Sequence, residues 1–384
     1  MDNPKTVCFL TASYPADYSR FLDREARSLQ KAGYRVIIIG LGKHTGVFTK
    51  NGIKIFQIKE QRGFSKINTM RDIAGRALDQ RAEIYHCFDP WALWIGFKIK
   101  KRCPQVKLIY DSTEWFPQTY LDRKDFPWLL RLIGWGMVTY LEYRATQQAD
   151  EIIETNRLRS TRFFRRKRIP KLVPNYAPVE LVKAPLNQRD TCFVYTGLIC
   201  RPRGFDRLLQ AIATVKVRYP SVRLLVRGEF DPYDDFESWS RDFIRANRLV
   251  ENVQFVERVD SYSDVFELLK PCLAGVILLQ PDRGNDWTNQ PSKLFEFMVA
   301  GLAVIASNFP EISRIVQSSG CGWLVDSRNS AEIARTMEQI LANPAEAIKR
   351  GLAGRKMAQT KYNWEFAAQT LLSIYQRLTG GLSN

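Results

Sequence analysis

Two doubly wound α/β domains of the Rossmann kind are what this sequence predicts, and three observations predict them. Short apolar runs alternate with amphipathic segments. The alternation stops once, at a turn-rich stretch near the middle, and then restarts. A length of 384 residues is too much for one ordinary core and suits two.

The elements justify this in order. Thr6–Leu10 and Arg35–Gly40 are continuous apolar runs, as strands buried on both faces are. Between them a helix is expected over Arg20–Ala32, stopped by Gly33. Ile53–Ile58, Glu83–Cys87, Val106–Asp111 and Glu151–Glu154 continue the strands, with helix-like segments between. Pro174 to Asp190 carries turn residues without periodicity and reads as a linker. Beyond it Thr191–Tyr195, Arg223–Arg227, Asn252–Val256, Ala274–Gln280, Ala303–Ala306 and Gly322–Val325 are strand candidates. Arg203–Arg218, Ser292–Ala300, Ala331–Ala342 and Tyr362–Leu378 are helix candidates. The expected domains are therefore 1–177 and 190–362, and two such sheets in series imply a cleft facing their carboxyl ends.

Composition narrows the function classes. A hydrophobic content of 45% is that of a folded protein rather than a disordered one. Seven scattered cysteines, an odd number without a CxxC pair, indicate a reducing cytoplasmic compartment and no structural zinc. Only two histidines, His44 and His86, are present, so a histidine-rich metal site is excluded. The N-terminus lacks the basic start and long apolar core of a signal peptide, and no uninterrupted apolar run reaches roughly 18 residues, so no membrane crossing is expected. Charge is lopsided. Residues 1–177 carry 32 Lys and Arg against 17 Asp and Glu, whereas residues 178–384 carry 25 against 23. From Arg157 to Lys171 there are eight basic residues and no acidic one, interleaved with Leu158, Phe163, Phe164 and Ile169. Upstream, Trp128, Leu129, Leu132, Ile133, Trp135 and Tyr140 make an aromatic-rich helical stretch. Such a half suits an anionic partner, a phospholipid surface or nucleic acid, or else a solvated charged face over a buried apolar one.

The chemistry-bearing segments lie mostly in the second half. Gln290-Pro291-Ser292 supplies a turn and a helix start, with proline where its missing N–H matters little. The backbone N–H groups and dipole of that helix end are available to an anion. Lys293 adds a full charge, and Glu296 follows within a turn, where a carboxylate can accept from sugar hydroxyls. Arg201 and Arg203 fall between a predicted strand and helix, and guanidinium groups there can clamp a diphosphate. In the first half Asp89, Asp111 and Glu114 fall at predicted strand ends, as acceptor contacts, a base or helix caps, and His86 lies on a strand as a packed residue or a catalyst. Asp231-Pro-Tyr-Asp-Asp235 reads as turn chemistry rather than a metal motif.

The run Tyr195-Thr-Gly-Leu-Ile-Cys-Arg-Pro-Arg-Gly204, then Asn289-Gln-Pro-Ser-Lys-Leu-Phe-Glu-Phe-Met-Val-Ala-Gly301 and Ala303-Val-Ile-Ala-Ser-Asn-Phe-Pro, resembles the family 4 (group 1) glycosyltransferases of the GT-B superfamily. Ser19 to Ala26, Ala32 to Val36, His86 to Asp89, Asp111 to Pro117 and Val173 to Tyr176 have counterparts too, so the resemblance runs through the chain. It implies two Rossmann-like domains facing a cleft, with a C-terminal helix, 363–380, packing back on the first. It implies a hexose moved from a UDP- or GDP-sugar to a glycan or lipid-linked acceptor at the membrane surface, with retained anomeric configuration, in polysaccharide or glycoconjugate synthesis. The donor set it implies is Gly197, Arg201, Arg203, Gly228, Glu229, Asn289, Gln290, Ser292, Lys293, Leu294 and Glu296, with Glu296 on the ribose and Lys293 on the diphosphate. Asp111, Glu114, Arg203 and Lys293 are its expected catalytic groups, and His86, Asp89 and Glu114 its acceptor side. No metal and no cofactor beyond the nucleotide sugar are expected, and a peripheral place at the cytoplasmic face of a membrane. Two departures stand out. Many members carry a second glutamate where this chain has Thr288, with Asp282, Asp286 and Asn289 as possible substitutes, and a histidine where it has Thr113. A GT-B epimerase without an acceptor, or a basic nucleic-acid-binding protein, are the alternative readings.

Overall fold

The computed structural model describes residues 4–61, 66–123, 126–163, 169–182, 190–232, 235–256, 262–282 and 284–380. The chain separates into two compact units, Met1–Asn175 with Glu365–Asn384, and Tyr176–Trp364.

The first unit is built on eight strands: β1 (Thr6–Pro15), β2 (Arg35–Gly42), β3 (Gly46–Lys50), β4 (Ile53–Lys59), β5 (Ile84–Cys87), β6 (Lys107–Ser112), β7 (Glu151–Glu154) and β8 (Lys171–Leu172). Their order is β3-β4-β2-β1-β5-β6-β7-β8. All neighbours are parallel except β3 and β4. Without its edge strands this is the doubly wound order, which reverses between β1 and β5. Helices cover the sheet because each central strand is buried on both faces, as the continuous apolar runs require.

Two expectations change here. β3 was not anticipated, because its residues are nearly all exposed and no buried pattern marks it. Its signal is the turn: Asn51 and Gly52 both take positive φ, 53° and 75°, the two-residue hairpin geometry that an Asn-Gly pair favours. The helix expected over Arg20–Ala32 exists, but Arg20–Ala26 is wound as a π-helix before the α-helix Arg27–Lys31.

The second unit holds β9 (Cys192–Thr196), β10 (Arg223–Arg227), β11 (Val253–Val256), β12 (Ala274–Ile277), β13 (Ala303–Ser307) and β14 (Gly322–Val325). All are parallel, in the order β11-β10-β9-β12-β13-β14, so this sheet reverses between β9 and β12. Helices Phe205–Arg218, Ser292–Ala300 and Ser330–Ala342 stand where the periodicity puts them. Of the expected linker, Val179–Leu181 forms a 3-10 turn, and residues 183–189 lie outside the described residues. Tyr176 packs edge-on against Phe295 and Tyr362, and the Trp364 N–H donates to the Ala177 carbonyl. The chain thus enters and leaves this unit at adjoining points.

Helix Trp364–Leu378 follows that exit and belongs, from Glu365 on, to the first unit. Tyr375 is fully buried there beside His86 of β5, and Arg377 pairs with Glu151 of β7 at 2.8 Å.

Candidate functional site

In the second unit the loops after β9 and β12 meet at the point where strand order reverses. The Gln280 N–H donates to the Pro202 carbonyl at 3.0 Å, tying the two loops together. Gly204, with φ +71°, permits this approach: a Cβ there would lie 2.3 Å from the Leu278 carbonyl oxygen. A Cβ on Gly228 would lie 1.8 Å from the Gly197 carbonyl oxygen, so the loops after β9 and β10 are equally close. Both glycines of the implied donor set, Gly197 and Gly228, are thus backbone-contact positions.

Helix Ser292–Ala300 begins beside this floor with Pro291 as its cap residue and no side-chain cap, which leaves its first amide N–H groups without side-chain acceptors of the capping kind. Lys293, in its first turn, is buried, and its Nζ donates to the Thr196 carbonyl at 3.1 Å and lies over the Tyr195 ring at 4.9 Å. Burial, and next the charge of Arg203, push the Lys293 ammonium down to about 7, while Glu296 and Asp286 pull the other way. No carboxylate lies within salt-bridge distance of Lys293 among the described residues. Arg203 stands in the 3-10 turn after β9, with its guanidinium 3.8 Å from Oδ1 of buried Asp286. The other Asp286 oxygen, Oδ2, is buried with no hydrogen-bond partner among the described residues. Glu296 is half-buried and accepts from the Tyr262 hydroxyl at 3.0 Å. Two cations, a helix start and two carboxylates therefore share one locality.

Other members of the expected donor set take different parts. Arg201 turns aside and stacks on Phe236 and Trp239, 4.9 and 4.7 Å from their ring centres. Leu294 is fully buried in the core, so its side chain packs and does not face a ligand. Gln290 is buried and donates to the Glu311 carboxylate, which also pairs with Arg314. Ser292 is half-buried at the helix start, and the Asn289 N–H donates to the Asp286 carbonyl. Glu229 is exposed and contributes its carbonyl to the Ile199 N–H. Thr288, where a second glutamate was absent, donates its hydroxyl to the Asn285 carbonyl. Asp286 is the one of the three possible substitutes that is buried with an unfilled oxygen. Of the acidic run Asp231 to Asp235, residues 233 and 234 lie outside the described residues.

The first unit's expected residues form a different kind of cluster. Arg20 pairs with Glu25 at 2.8 Å and Asp111 at 2.7 Å, all three fully buried. His86 Nδ1 lies 2.6 Å from the Tyr375 hydroxyl, and its Nε2 stands 3.7 Å from Asp111 and 3.8 Å from Glu25. Burial pushes Glu25 well above the usual carboxylate range, against the pull of Arg20. Burial also pushes Asp111 up, but Arg20 and His86 outweigh it and leave that carboxyl below its ordinary value. Burial lowers His86 below the usual imidazole range, against the pull of Asp111. Asp89 caps helix Pro90–Arg102 by accepting from the Trp91 and Ala92 N–H groups, and also accepts from the Ala12 N–H and the Thr11 hydroxyl. His86, Asp89 and Asp111, expected on the acceptor side or in catalysis, are all fully buried; Asp89 is held by four donors, while His86 Nε2 and Asp111 Oδ1 have no hydrogen-bond partner among the described residues. Glu114 remains half-buried near the end of β6. Glu25, His86 and Asp111 lie close enough together to hold a metal ion, and the Arg20 guanidinium bridges the two carboxylates. Sequence reasoning passed over Arg20, Glu25 and Tyr375, since only the fold brings residues 20, 86, 111 and 375 together.

Residues 179–357 match the family described as glycosyl transferases group 1. Among curated proteins, the chain is 26% identical over 192 residues to a phosphatidyl-myo-inositol mannosyltransferase of Mycobacterium tuberculosis, covering 49% of this chain and 47% of that protein. It is 25% identical over 152 residues to the amylovoran biosynthesis glycosyltransferase AmsK of Erwinia amylovora, 38% of this chain and 36% of that one. The chain spans about half the length of the mannosyltransferases it matches, 47% in the Mycobacterium tuberculosis case. Among solved structures, a sucrose-phosphate synthase of Thermosynechococcus elongatus superposes with a TM-score of 0.73 at 16% identity, covering 98% of this chain and 100% of that one. Anabaena HepE, solved with UDP and glucose, gives 0.74 at 12% identity over 97% and 99%. The fold is that of the two-domain GT-B proteins.

Proposed function

From the membership of residues 179–357 in the group 1 glycosyltransferases, we propose that this chain moves a hexose from a UDP- or GDP-sugar to a glycan or lipid-linked acceptor. The observation that carries the reading is the meeting of Lys293 and Arg203 beside the start of helix Ser292–Ala300, at the strand-order reversal of the second sheet. A diphosphate is the anion such a place suits: helix amides take its oxygens, and two cations neutralise charge as it leaves. Glu296 accepts from the ribose. Because these groups supply the positive charge, a metal ion is not required for the departure of the diphosphate. The nucleotide sugar is itself a substrate, so no further cofactor enters. Front-face attack, with the departing phosphate taking the acceptor proton, retains the anomeric configuration.

The acceptor reading draws on the lipid acceptor in the mycobacterial relatives' name and on the basic surplus of residues 1–177. Both favour a peripheral position on an anionic leaflet, which in a cell is the cytoplasmic face. All seven cysteines are free thiols, in keeping with a reducing compartment.

The test is a panel of UDP- and GDP-sugars, scored for binding and for slow hydrolysis, with Arg203→Ala and Glu296→Ala beside the wild type. Each variant should lower turnover by about 100- to 1,000-fold with the fold retained. Near-wild-type rates in both would end the site assignment. Conversion of the nucleotide sugar into an isomer, with no acceptor consumed, would turn the reading to an epimerase.

A further inference from the structure

A helix on the surface of a water-soluble domain normally turns its charges outward and its apolar residues inward. Helix Trp128–Thr146 departs from this: most of its large apolar residues are turned outward and one of its three charges, Glu142, is turned inward. Its inward face is Gly134, Val138, Glu142, Ala145 and Thr146. Glu142, buried, accepts from the Tyr110 hydroxyl at 2.6 Å and lies 3.4 Å from Arg162. Arg131, half-buried, donates to the Leu121 carbonyl at 3.1 Å. The outward face is made of Trp128, Leu129, Leu132, Ile133, Tyr140 and Tyr143, and Trp128 is 66%, Ile133 57% and Tyr140 59% exposed. Arg144 is the single charged residue on it. An apolar face of this size, continuous over five turns, marks an interaction surface.

We propose that the outward face of helix Trp128–Thr146 lies in the interfacial layer of an anionic phospholipid leaflet, parallel to its plane, and so holds the first unit on the membrane. This deepens the membrane part of the function proposed above and does not depend on its donor chemistry. Three observations choose lipid over other occupants. No described helix is long and apolar enough to cross a membrane, so the element lies on a bilayer rather than through it. Tryptophan and tyrosine make up much of the face, and these rings favour the headgroup level. Exposed Arg123 and Arg144 flank it, and residues 1–177, to which it belongs, carry 32 Lys and Arg against 17 Asp and Glu. That excess of positive charge complements an anionic leaflet and opposes the meeting of two copies of this chain through the same face.

The experiment is cosedimentation of the full chain with phosphatidylcholine vesicles, with and without phosphatidylglycerol, for the wild type and for Leu129→Gln/Ile133→Gln/Tyr140→Gln. Denaturant unfolding of both proteins checks that the first unit is folded, and UDP and GDP binding checks the second. The wild type should bind the phosphatidylglycerol vesicles, less strongly as salt rises. The triple variant should lose at least about 100-fold in partition while its nucleotide binding is unchanged. Vesicle binding retained by the triple variant, or absent from the wild type, overturns the proposal. So does a wild-type dimer in solution that the triple variant converts to monomer. Failure to bind either nucleotide sinks the donor reading instead and leaves the vesicle result to stand alone.

Discussion

Each sheet carries a cluster of arginine, lysine or histidine with two carboxylates near its strand-order reversal, and the two clusters differ in how closely opposite charges approach. In the first unit Arg20 touches Glu25 and Asp111 at 2.8 and 2.7 Å, with His86 and Tyr375 beside them. In the second, the Arg203–Asp286 contact is 3.8 Å, and Lys293 donates to the Thr196 carbonyl and lies over the Tyr195 ring. A buried charge at short distance from its opposite is structure. A buried lysine with no carboxylate at salt-bridge distance among the described residues is a place where a further anion fits. Residue type does not separate the two cases; the distance between opposite charges does.

The largest expected effect tests the closely paired side. Arg20→Ala removes the counter-charge of fully buried Asp111, and breaking a buried pair in this way costs about 3–5 kcal/mol. Arg203→Ala, on a side chain 26% exposed, should cost within about 0.5 kcal/mol although it removes turnover. Denaturant unfolding of both variants makes the contrast measurable. An Arg20→Ala protein of wild-type stability that no longer turns over would invert the comparison and put the chemistry in the first cluster.

A smaller effect sharpens the side that holds Lys293. Burial and Arg203 hold Lys293 at about 7 in the free protein, and a bound diphosphate would raise it. Below that value both free and bound forms carry the proton, and affinity should be flat. Above it the free form loses the proton while the complex keeps it, so binding must take one up. The affinity for UDP or GDP should therefore fall by about tenfold per unit across roughly pH 7.5 to 8.5. Calorimetric titrations in two buffers of different ionisation enthalpy would report the uptake directly. Lys293→Met should bind weakly with no such slope; a slope that persists there assigns the proton to another group.

How much of this was legible in the sequence follows from what each feature depends on. Buried parallel strands announce themselves, because both faces must be apolar: β7, β10 and β14 stand with the bounds the apolar runs indicate. Helix Ser292–Ala300 was equally plain, since Pro291, Ser292 and Gly301 punctuate it. β3 was hidden by its exposure, and the π-wound turns of Arg20–Ala26 by the fact that side-chain periodicity hardly distinguishes them from α. For site residues the limit was different. Sequence spacing could place Arg201 and Arg203 in one loop, but only the aromatic pair Phe236 and Trp239, some 35 residues on, decides which of them is stacked away. That Arg20 lies against Asp111 and Tyr375 against His86 left no local signal, because these partners stand 91 and 289 residues distant.

The smallest effect concerns Asp286. Its Oδ1 faces Arg203 and its Oδ2 is buried and unfilled among the described residues, next to a position, Thr288, where a glutamate was missed. A sugar hydroxyl donating to Oδ2 would complete it, and a nucleoside diphosphate without sugar would not reach that need. Asp286→Asn keeps the size and removes the charge. It should leave UDP or GDP affinity within about threefold, while affinity for the intact nucleotide sugar falls by about tenfold, the value of one hydrogen bond to a charged group. Competition titrations of the diphosphate against the nucleotide sugar read the difference in one series. Equal losses for both ligands would mean that Asp286 serves only to steady Arg203, and the second cluster would then lack a group for the hexose as well as an anion.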